Sequence, residues 1–321
     1  MNSFANSSEN SSENSSENSS ENSSEKRPET VAIVGAGWTG RQIAGQMLTH
    51  GLNVLLCDPN NSALKASKDW ILANLEPFGD AGYWPKCSVA QIDARLQLVD
   101  LPTLLEQAPR LGFLDLVLES VPEQAALKRR LLKQLSEAFP PNTILASNSS
   151  YFIPSTFSKH IQHPARYAHF HFHVPIWKAT VVDVAAAPET HRDTLERLSQ
   201  LARKIGQTPI VQTVENSGYL FNAMLKSVLL SALQLLDRGV SDPQNIDLAW
   251  TKATGMPVGP FGIMDQIGLD LMLQTMSNAR FVEGDHVWGP LIARIEPLVA
   301  AGHLGVKTGQ GFFEYPTTKA L

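Results

Sequence analysis

The sequence predicts an α/β chain in which a doubly wound parallel sheet is followed by an all-α C-terminal domain. Three observations carry that expectation. A glycine-bounded apolar run, Val31-Ala32-Ile33-Val34, leads directly into Gly35-x-Gly37-x-x-Gly40 and then into a segment of helical period. Short apolar strands then alternate with amphipathic helices to about residue 213. Beyond that point the strand signal stops and long apolar segments of helical period take over.

Residues 1–28 precede the sheet and consist mostly of a tandem Asn-Ser-Ser-Glu repeat with almost no apolar content. Such a segment cannot bury enough surface to offset its conformational entropy, so a disordered acidic tail is expected. Its N-x-S sequons at Asn6, Asn10, Asn14, Asn18 and Asn22 follow no apolar signal segment and are expected to stay unmodified.

Residues 29–213 are the expected dinucleotide-binding domain. Val31 to Val34 reads as a buried parallel strand. In the turn Gly35-Ala36-Gly37-Trp38-Thr39-Gly40, Gly35 permits the sharp bend and Gly37 lets the backbone approach a pyrophosphate. Gly40 lets helix and strand pack closely, and the helix N-terminus offers free N–H groups and a positive dipole end. Ile43, Met47 and Leu48 mark the helix face, His50-Gly51 its stop, and Asn53 to Cys57 a second strand ending in Asp58. Asp58 stands 18 residues after Gly40, where a carboxylate would accept hydrogen bonds from the adenosine ribose. Pro59-Asn60-Asn61 follow in place of an arginine, which favours NAD over NADP. Strand, glycine turn, helix, strand and acid in that order make a Rossmann-type unit.

A polar helix is expected over about Ser62 to Glu76, then an irregular segment to Val89 and a short strand over Arg95 to Val99. Asp115 to Ser120 is a clearer strand, Glu123 to Ala138 an amphipathic helix, and Thr143 to Ser147 another strand. In doubly wound sheets the ligand sits outside the carboxyl ends of the strands. That rule points to Glu119, Ser120 and Glu123 and to Ser147-Asn148-Ser149-Ser150, although short polar residues also cap helices and turns.

Tyr167 to His173 reads YAHFHFH, so on a strand His169, His171 and His173 share one face and Phe170 and Phe172 the other. Three readings stand at this point: a metal site, a general acid/base, or buried histidines without chemistry. The strand Thr180 to Ala185 carries a single acid, Asp183, as a candidate partner.

These motifs, taken in order, resemble those of the L-3-hydroxyacyl-CoA dehydrogenases from about Glu29 to Tyr315. The family's E-x-x-x-E is Glu119 to Glu123, its S-N-T-S is Ser147 to Ser150, and its H-F-F-N-P is His171 to Pro175. L-V-E-V becomes Val181 to Val184, G-F-I-V-N-R becomes Gly218 to Ala223, and G-P-F-x-L-x-D-x-x-G-L-D becomes Gly259 to Asp270. The closing glycine-rich motif spans Gly302 to Phe313. The resemblance implies NAD as cofactor, His171 as acid/base and Asp183, twelve residues later, as the carboxylate that orients it. It implies Ser150 and Asn222 around the reacting substrate, Ser150 also near the nicotinamide, and Glu123, Lys128 and Lys307 at the cofactor, with Lys128 near CoA as well. Without the resemblance Lys128 reads as part of a solvated helix face.

Two positions depart from the family pattern. Val174 replaces the asparagine of H-F-F-N-P and cannot replace its hydrogen bond, a loss of about 1–3 kcal/mol where the partner stays buried. Asp183 replaces a glutamate, so either the strands sit closer or water bridges the gap. Glu119 to Arg130 is also similar to the lambda-crystallin/L-gulonate 3-dehydrogenase branch, which keeps a free 3-hydroxy acid as alternative substrate. A non-catalytic NAD-binding structural protein is the alternative from another class.

Residues 214–321 are the expected all-α substrate and dimerisation domain. Ser217 to Arg238 has Leu220, Phe221, Met224, Leu225, Val228 and Leu229 at helical spacing. An all-α domain after a nucleotide-binding domain places the cleft for a small substrate between them, and the resemblance implies a homodimer. A net charge of −5 argues against nucleic acid, and the absence of a bilayer-length apolar stretch argues against a membrane. Two cysteines, Cys57 and Cys87, with Cys57 on a buried strand, fit a reducing cytoplasm, and no metal is expected.

Overall fold

The computed structural model describes residues 29–110 and 114–316, so the expectation for the tail at 1–28 falls outside the described residues. The N-terminal part runs β1 (Thr30–Val34), α1 (Trp38–Thr49), β2 (Asn53–Cys57), α2 (Asn61–Asp80), α3 (Val89–Arg95), β3 (Leu96–Val99) and α4 (Leu101–Gln107). It continues with β4 (Leu114–Glu119), α5 (Ala125–Ala138), β5 (Ile144–Ser147), the single turn α6 (Ser155–Ser158), β6 (Tyr167–Phe172), β7 (Val181–Ala186), α7 (Arg192–Lys204) and β8 (Thr208–Gln212). The C-terminal part is helical: α8 (Phe221–Asp237), α9 (Pro243–Thr254), α10 (Pro260–Ile267), α11 (Leu269–Glu283) and α12 (Asp285–Ala300).

The eight strands lie in the order β3-β2-β1-β4-β5-β6-β7-β8. Neighbours are parallel except β6 and β7, which pair antiparallel with His171 directly opposite Asp183. The order reverses at β1, which pairs with β2 on one side and β4 on the other. A ligand crevice forms where connections leave such a switch point in opposite directions.

Both faces of β1 are covered, which explains its uninterrupted apolar run. Val31 and Ile33 join the core under α1, α2 and α7, while Ala32 and Val34 join the opposite core with Leu131, Leu132 and Leu135 of α5. Each fully buried side chain of the size of Ile33 contributes roughly 1.5–3 kcal/mol relative to exposure. A third core unites α8, α10, α11 and α12 through Leu229, Leu233, Phe261, Met264, Met276 and Trp288. No helix among the described residues is long and apolar enough to cross a membrane.

The structure departs from the sequence-based expectations in several places. The helix expected to end near Glu76 continues to Asp80. Val89–Arg95 is a helix begun by a capping box of Ser88 and Gln91, and the strand after it starts at Leu96. α7 and β8 lie outside the elements expected from the sequence. α8 begins at Phe221 because Gly218 and Tyr219 both have positive φ, +75° and +56°, and make a turn where helix is expected.

Candidate active site

The glycine turn links the end of β1 to the start of α1. A Cβ on Gly35 would stand 2.4 Å from the carbonyl oxygen of Ser120, and one on Gly40 would stand 1.9 Å from that of Gly35. Both glycines are therefore demanded by the protein's own backbone. Gly37 differs: nothing lies within 4 Å of where its Cβ would be. It is the exposed N-cap of α1 and provides no side-chain cap, so the first N–H groups of the helix have no partner within it. Open room in front of unsatisfied N–H groups at a positive dipole end fits a pyrophosphate.

Asp58 at the end of β2 accepts hydrogen bonds from Ala36 N at 2.9 Å and from Asn60 N at 2.8 Å, one on each carboxylate oxygen. Each oxygen keeps capacity for a ribose hydroxyl. Trp38 is half exposed, with the Arg41 guanidinium 4.5 Å from its ring centroid and 5.1 Å from that of Trp70. Thr39 is partly buried beside it.

Behind this turn, the carboxyl ends of β4 and β5 are tied together by a buried polar network. Glu119 accepts from Lys128 Nζ at 2.6 Å on one oxygen and from Ser147 Oγ at 2.6 Å on the other. Lys128 also lies 3.2 Å from Glu123, which accepts from Ser149 Oγ at 2.5 Å and from Tyr151 N at 3.1 Å. Burial raises the Glu119 carboxyl above the ordinary carboxylate range, and Lys128 works against that rise. Lys128 is buried, not on the solvated helix face that its sequence context suggested: α5 turns it inward toward the end of β4. Ser149 is buried, whereas its neighbour Ser150 is exposed.

The histidines of β6 share one face, but they divide their partners. His171 Nδ1 lies 3.0 Å from Asp183 Oδ2, and His173 Nε2 lies 2.8 Å from the same oxygen. Asp183 therefore reaches the imidazole directly, with no bridging water needed, because the two residues face each other across paired strands. Burial pushes the Asp183 carboxyl up, but hydrogen bonds from His171 and His173 outweigh it and hold the group below its ordinary range. The ionised carboxylate only accepts, so His171 carries its proton on Nδ1 and leaves Nε2 unprotonated. Burial lowers the His171 pKa and the Asp183 bond partly restores it.

His169 is engaged elsewhere. Its Nδ1 meets Tyr219 Oη at 2.9 Å and its Nε2 meets Tyr167 Oη at 2.9 Å. Tyr219 spends its hydroxyl proton on the Ser149 carbonyl, so His169 Nδ1 must donate and Nε2 accept. Burial drives its pKa well below the ordinary imidazole value and keeps it neutral. The three-imidazole metal reading thus loses His169.

Tyr219 also connects the two parts of the chain. Its ring stacks on His171 at 4.8 Å and 15°, and Phe221 meets His173 edge-on at 5.5 Å. Neither the Tyr219 contacts nor the His173 contact with Asp183 was expected from the sequence; the i, i+2 spacing of His171 and His173 was the available signal for the latter. Asn222 is partly buried in the first turn of α8, next to Gly218. Lys307 sits in the C-terminal part, where it pairs with Asp270 at 2.5 Å. The motif around Gly259 to Asp270 is used for assembly: Asp247 accepts from Phe261 N and Gly262 N, and Asp265 accepts from Phe312 N, Phe313 N and Tyr315 Oη.

Comparison with known proteins agrees with this architecture. Residues 30–215 match the family model of the 3-hydroxyacyl-CoA dehydrogenase NAD-binding domain, and residues 218–315 match that of its C-terminal domain. The mitochondrial hydroxyacyl-coenzyme A dehydrogenase of Rattus norvegicus is 30% identical over 292 residues, covering 89% of this chain and 90% of that protein. A probable 3-hydroxybutyryl-CoA dehydrogenase of Bacillus subtilis is 29% identical over 285 residues, covering 89% and 96%. Among solved structures, a diketoreductase acting on dicarbonyl compounds superposes with a TM-score of 0.81 at 30% identity, covering 90% of this chain and 99% of that one. The (S)-3-hydroxybutyryl-CoA dehydrogenase of Ralstonia eutropha gives 0.78 at 27% identity, covering 90% and 100%. The glycine turn with its open N-terminus, Asp58 and both family matches lead to one conclusion: this chain belongs to the 3-hydroxyacyl-CoA dehydrogenase family and is an NAD-dependent oxidoreductase.

Proposed function

We propose that the enzyme interconverts a 3-hydroxyacyl thioester of coenzyme A and its 3-keto form, with His171 as the acid/base. The observation that carries this reading is the buried contact of His171 Nδ1 with Asp183 Oδ2. It leaves Nε2 unprotonated, ready to take the hydroxyl proton of a secondary alcohol in one direction and to return it in the other. Asp183 fixes the tautomer and stabilises the imidazolium formed when the proton arrives. Bound NAD supplies the hydride acceptor. Ser150 and Asn222 are assigned to the substrate oxygen. Gly35, Ala36, Gly37, Trp38, Thr39, Gly40, Asp58 and Glu123 are assigned to the cofactor, with Ser150 on its nicotinamide side. Lys128 then serves the cofactor indirectly, by holding Glu119 and Glu123, and Lys307 joins only if its pair with Asp270 opens.

A second reading, reduction of a free 3-keto acid or a similar small dicarbonyl, draws on two observations. Of Lys65, Lys68 and Lys86, the lysines that the sequence offers for CoA phosphates, Lys68 and Lys86 are already paired with Asp93 at 2.6 Å and Asp80 at 2.8 Å. Val174, three residues beyond His171, is exposed and offers no hydrogen bond.

The deciding experiment is NADH oxidation with acetoacetyl-CoA beside free 3-keto acids and 2,4-diketones. Turnover of the thioester alone supports the first reading, and turnover of the unesterified compounds alone overturns it. Silence from both leaves an NAD-binding protein without this reaction. His171→Ala should abolish turnover while NADH affinity stays; equal loss of both would make His171 structural.

The same reading places the enzyme in a reducing cytoplasm, with Cys57 and Cys87 free, and as a homodimer. α9 buries none of its residues, and Leu248, Phe221 and Met224 are exposed on the helical part. Light scattering on the eluting protein tests the dimer; a mass of one chain rejects it.

A further inference from the structure

We propose that His171, His173 and Asp183 form a binding site for Zn²⁺ or a similar borderline divalent cation, and that the ion silences the enzyme by occupying its base. One ligand atom from each residue lies within 4.8 Å of the others, and both imidazole nitrogens already converge on Asp183 Oδ2, at 3.0 and 2.8 Å. Tetrahedral zinc with bonds of about 2.1 Å needs its ligand atoms roughly 3.4 Å apart. The two nitrogen–oxygen distances therefore have to open by about half an ångström, a small tilt of side chains. The separation of the two nitrogens, within 4.8 Å, has to close further, by rotation of the His173 ring, which is 13% exposed.

The donor set suits zinc on chemical grounds. Two imidazoles and one carboxylate favour a borderline cation over magnesium or calcium, which prefer oxygen alone. Three protein ligands leave a fourth position for water, the pattern of zinc sites that exchange rather than of structural ones. All three residues project from neighbouring strands, His171 and His173 from β6 and at its end, Asp183 from β7, so the backbone needs no rearrangement. Outer contacts steady them: Tyr219 stacks on His171, Phe221 meets His173, and Gln212 Nε2 lies 3.4 Å from the other Asp183 oxygen. His169 takes no part, since both its nitrogens are bonded to tyrosines.

Silencing follows from the tautomer. With no ion, His171 carries its proton on Nδ1 and accepts a proton at Nε2. An ion on Nδ1 requires that nitrogen's lone pair, so the neutral ring carries its proton on Nε2 and cannot accept another there. His173 makes the converse change, giving up the proton on Nε2 and holding one on Nδ1. The ion also removes Asp183 as the partner of an imidazolium. The site itself stands on geometry alone, whereas the silencing rests on the proposed role of His171.

The test uses the full chain without an affinity tag. Zn²⁺ binding is measured by equilibrium dialysis with metal analysis, and Co²⁺ is added as a probe whose visible spectrum reports tetrahedral coordination. One Zn²⁺ per chain and a tetrahedral Co²⁺ spectrum are expected. Affinity should fall by at least about tenfold in His173→Phe, with His173→Gln as second variant and NADH binding as the check on folding. No retained Zn²⁺ in molar excess, or equal binding by variants that still take up NADH, overturns the site. Bound Zn²⁺ should abolish turnover, and a chelator should restore it. Stoichiometric binding with undiminished turnover overturns the silencing and counts against His171 as the base. A protein that turns over none of the substrates above still gives a decisive binding result.

Discussion

Lys128 Nζ lies 2.6 Å from Glu119 Oε1, with both side chains shut away from solvent. An ammonium and a carboxylate in such a place hold each other there: neither is tolerable alone at that depth, and each also uses its remaining hydrogen-bonding capacity, Glu119 on Ser147 and Lys128 on Val121 O. Lys128→Met should therefore cost about 3–5 kcal/mol of stability, because the uncompensated carboxylate must stay buried or become protonated. Denaturant unfolding at neutral pH measures the loss. The double variant Lys128→Met/Glu119→Gln should recover much of it, since it removes the charge while keeping an acceptor for Ser147. A single variant as stable as the parent would show that water reaches Glu119.

Gly37 and Gly40 separate folding from cofactor binding. In Gly40→Ala the new methyl would meet the Gly35 carbonyl oxygen at 1.9 Å, a clash between backbone segments that cannot rotate away. A loss of at least about 1–3 kcal/mol is expected, with lowered Tm. In Gly37→Ala the methyl enters open space, so the fold should be untouched. NADH affinity should nonetheless fall, because that space is assigned to the pyrophosphate. Thermal unfolding and NADH titration on the same two variants check the contrast. Normal NADH binding by Gly37→Ala would move the phosphate site elsewhere.

The parts of this molecule governed by local pattern were legible in the sequence. The strand Asn53–Cys57 has the bounds its apolar run indicates, and the glycine turn lies where its spacing puts it. β8 was not legible because it is a partly exposed edge strand carrying Pro209, with no apolar run to mark it. α7 has the helical spacing of Leu195, Leu198, Leu201 and Ala202 and could have been found. The site was half legible. Strand periodicity puts His171 and His173 on one face, but only the register of β6 against β7 shows that both reach one oxygen of Asp183. Without the resemblance Lys128 reads as part of a solvated helix face for a similar reason. Its side chain turns inward to the end of β4 because of how α5 packs, which charge alone does not reveal.

Tyr219 bonds to His169 and to the Ser149 carbonyl, and it covers one face of His171. Tyr219→Phe keeps the stacked ring and removes the hydroxyl, leaving the His169 Nδ1 proton and the Ser149 carbonyl without that partner. A loss of about 1–3 kcal/mol is expected, with turnover reduced little. Tyr219→Ala also removes the ring and should cost about 3–5 kcal/mol, with turnover falling further as His171 gains freedom to rotate. Denaturation midpoints and kcat on the pair check the order. A phenylalanine variant as impaired in kcat as the alanine would assign the hydroxyl a direct part in the reaction.

Asp183 is fitted to its strand position, and that fit bears on the acid as well as on the charge. Asp183→Asn preserves volume but removes the negative charge proposed to stabilise a His171 imidazolium. Its amide can also donate to Nδ1 and drive the proton to Nε2, the wrong tautomer for a base. Turnover should fall roughly 10²–10⁴-fold with NADH affinity unchanged. Asp183→Glu keeps the charge and adds a methylene to a contact already closed at 3.0 Å on His171 and 2.8 Å on His173. The longer acid has no gap to fill, so it must displace one imidazole, and His173, the less buried of the two, has more room to move. The glutamate variant should therefore retain more turnover than the asparagine variant and lose the shared contact with His173. Comparing kcat for the two variants, together with the imidazole NMR signals of His171 and His173, tests both halves. Equal damage from the two substitutions would mean that placement of the carboxylate matters as much as its charge.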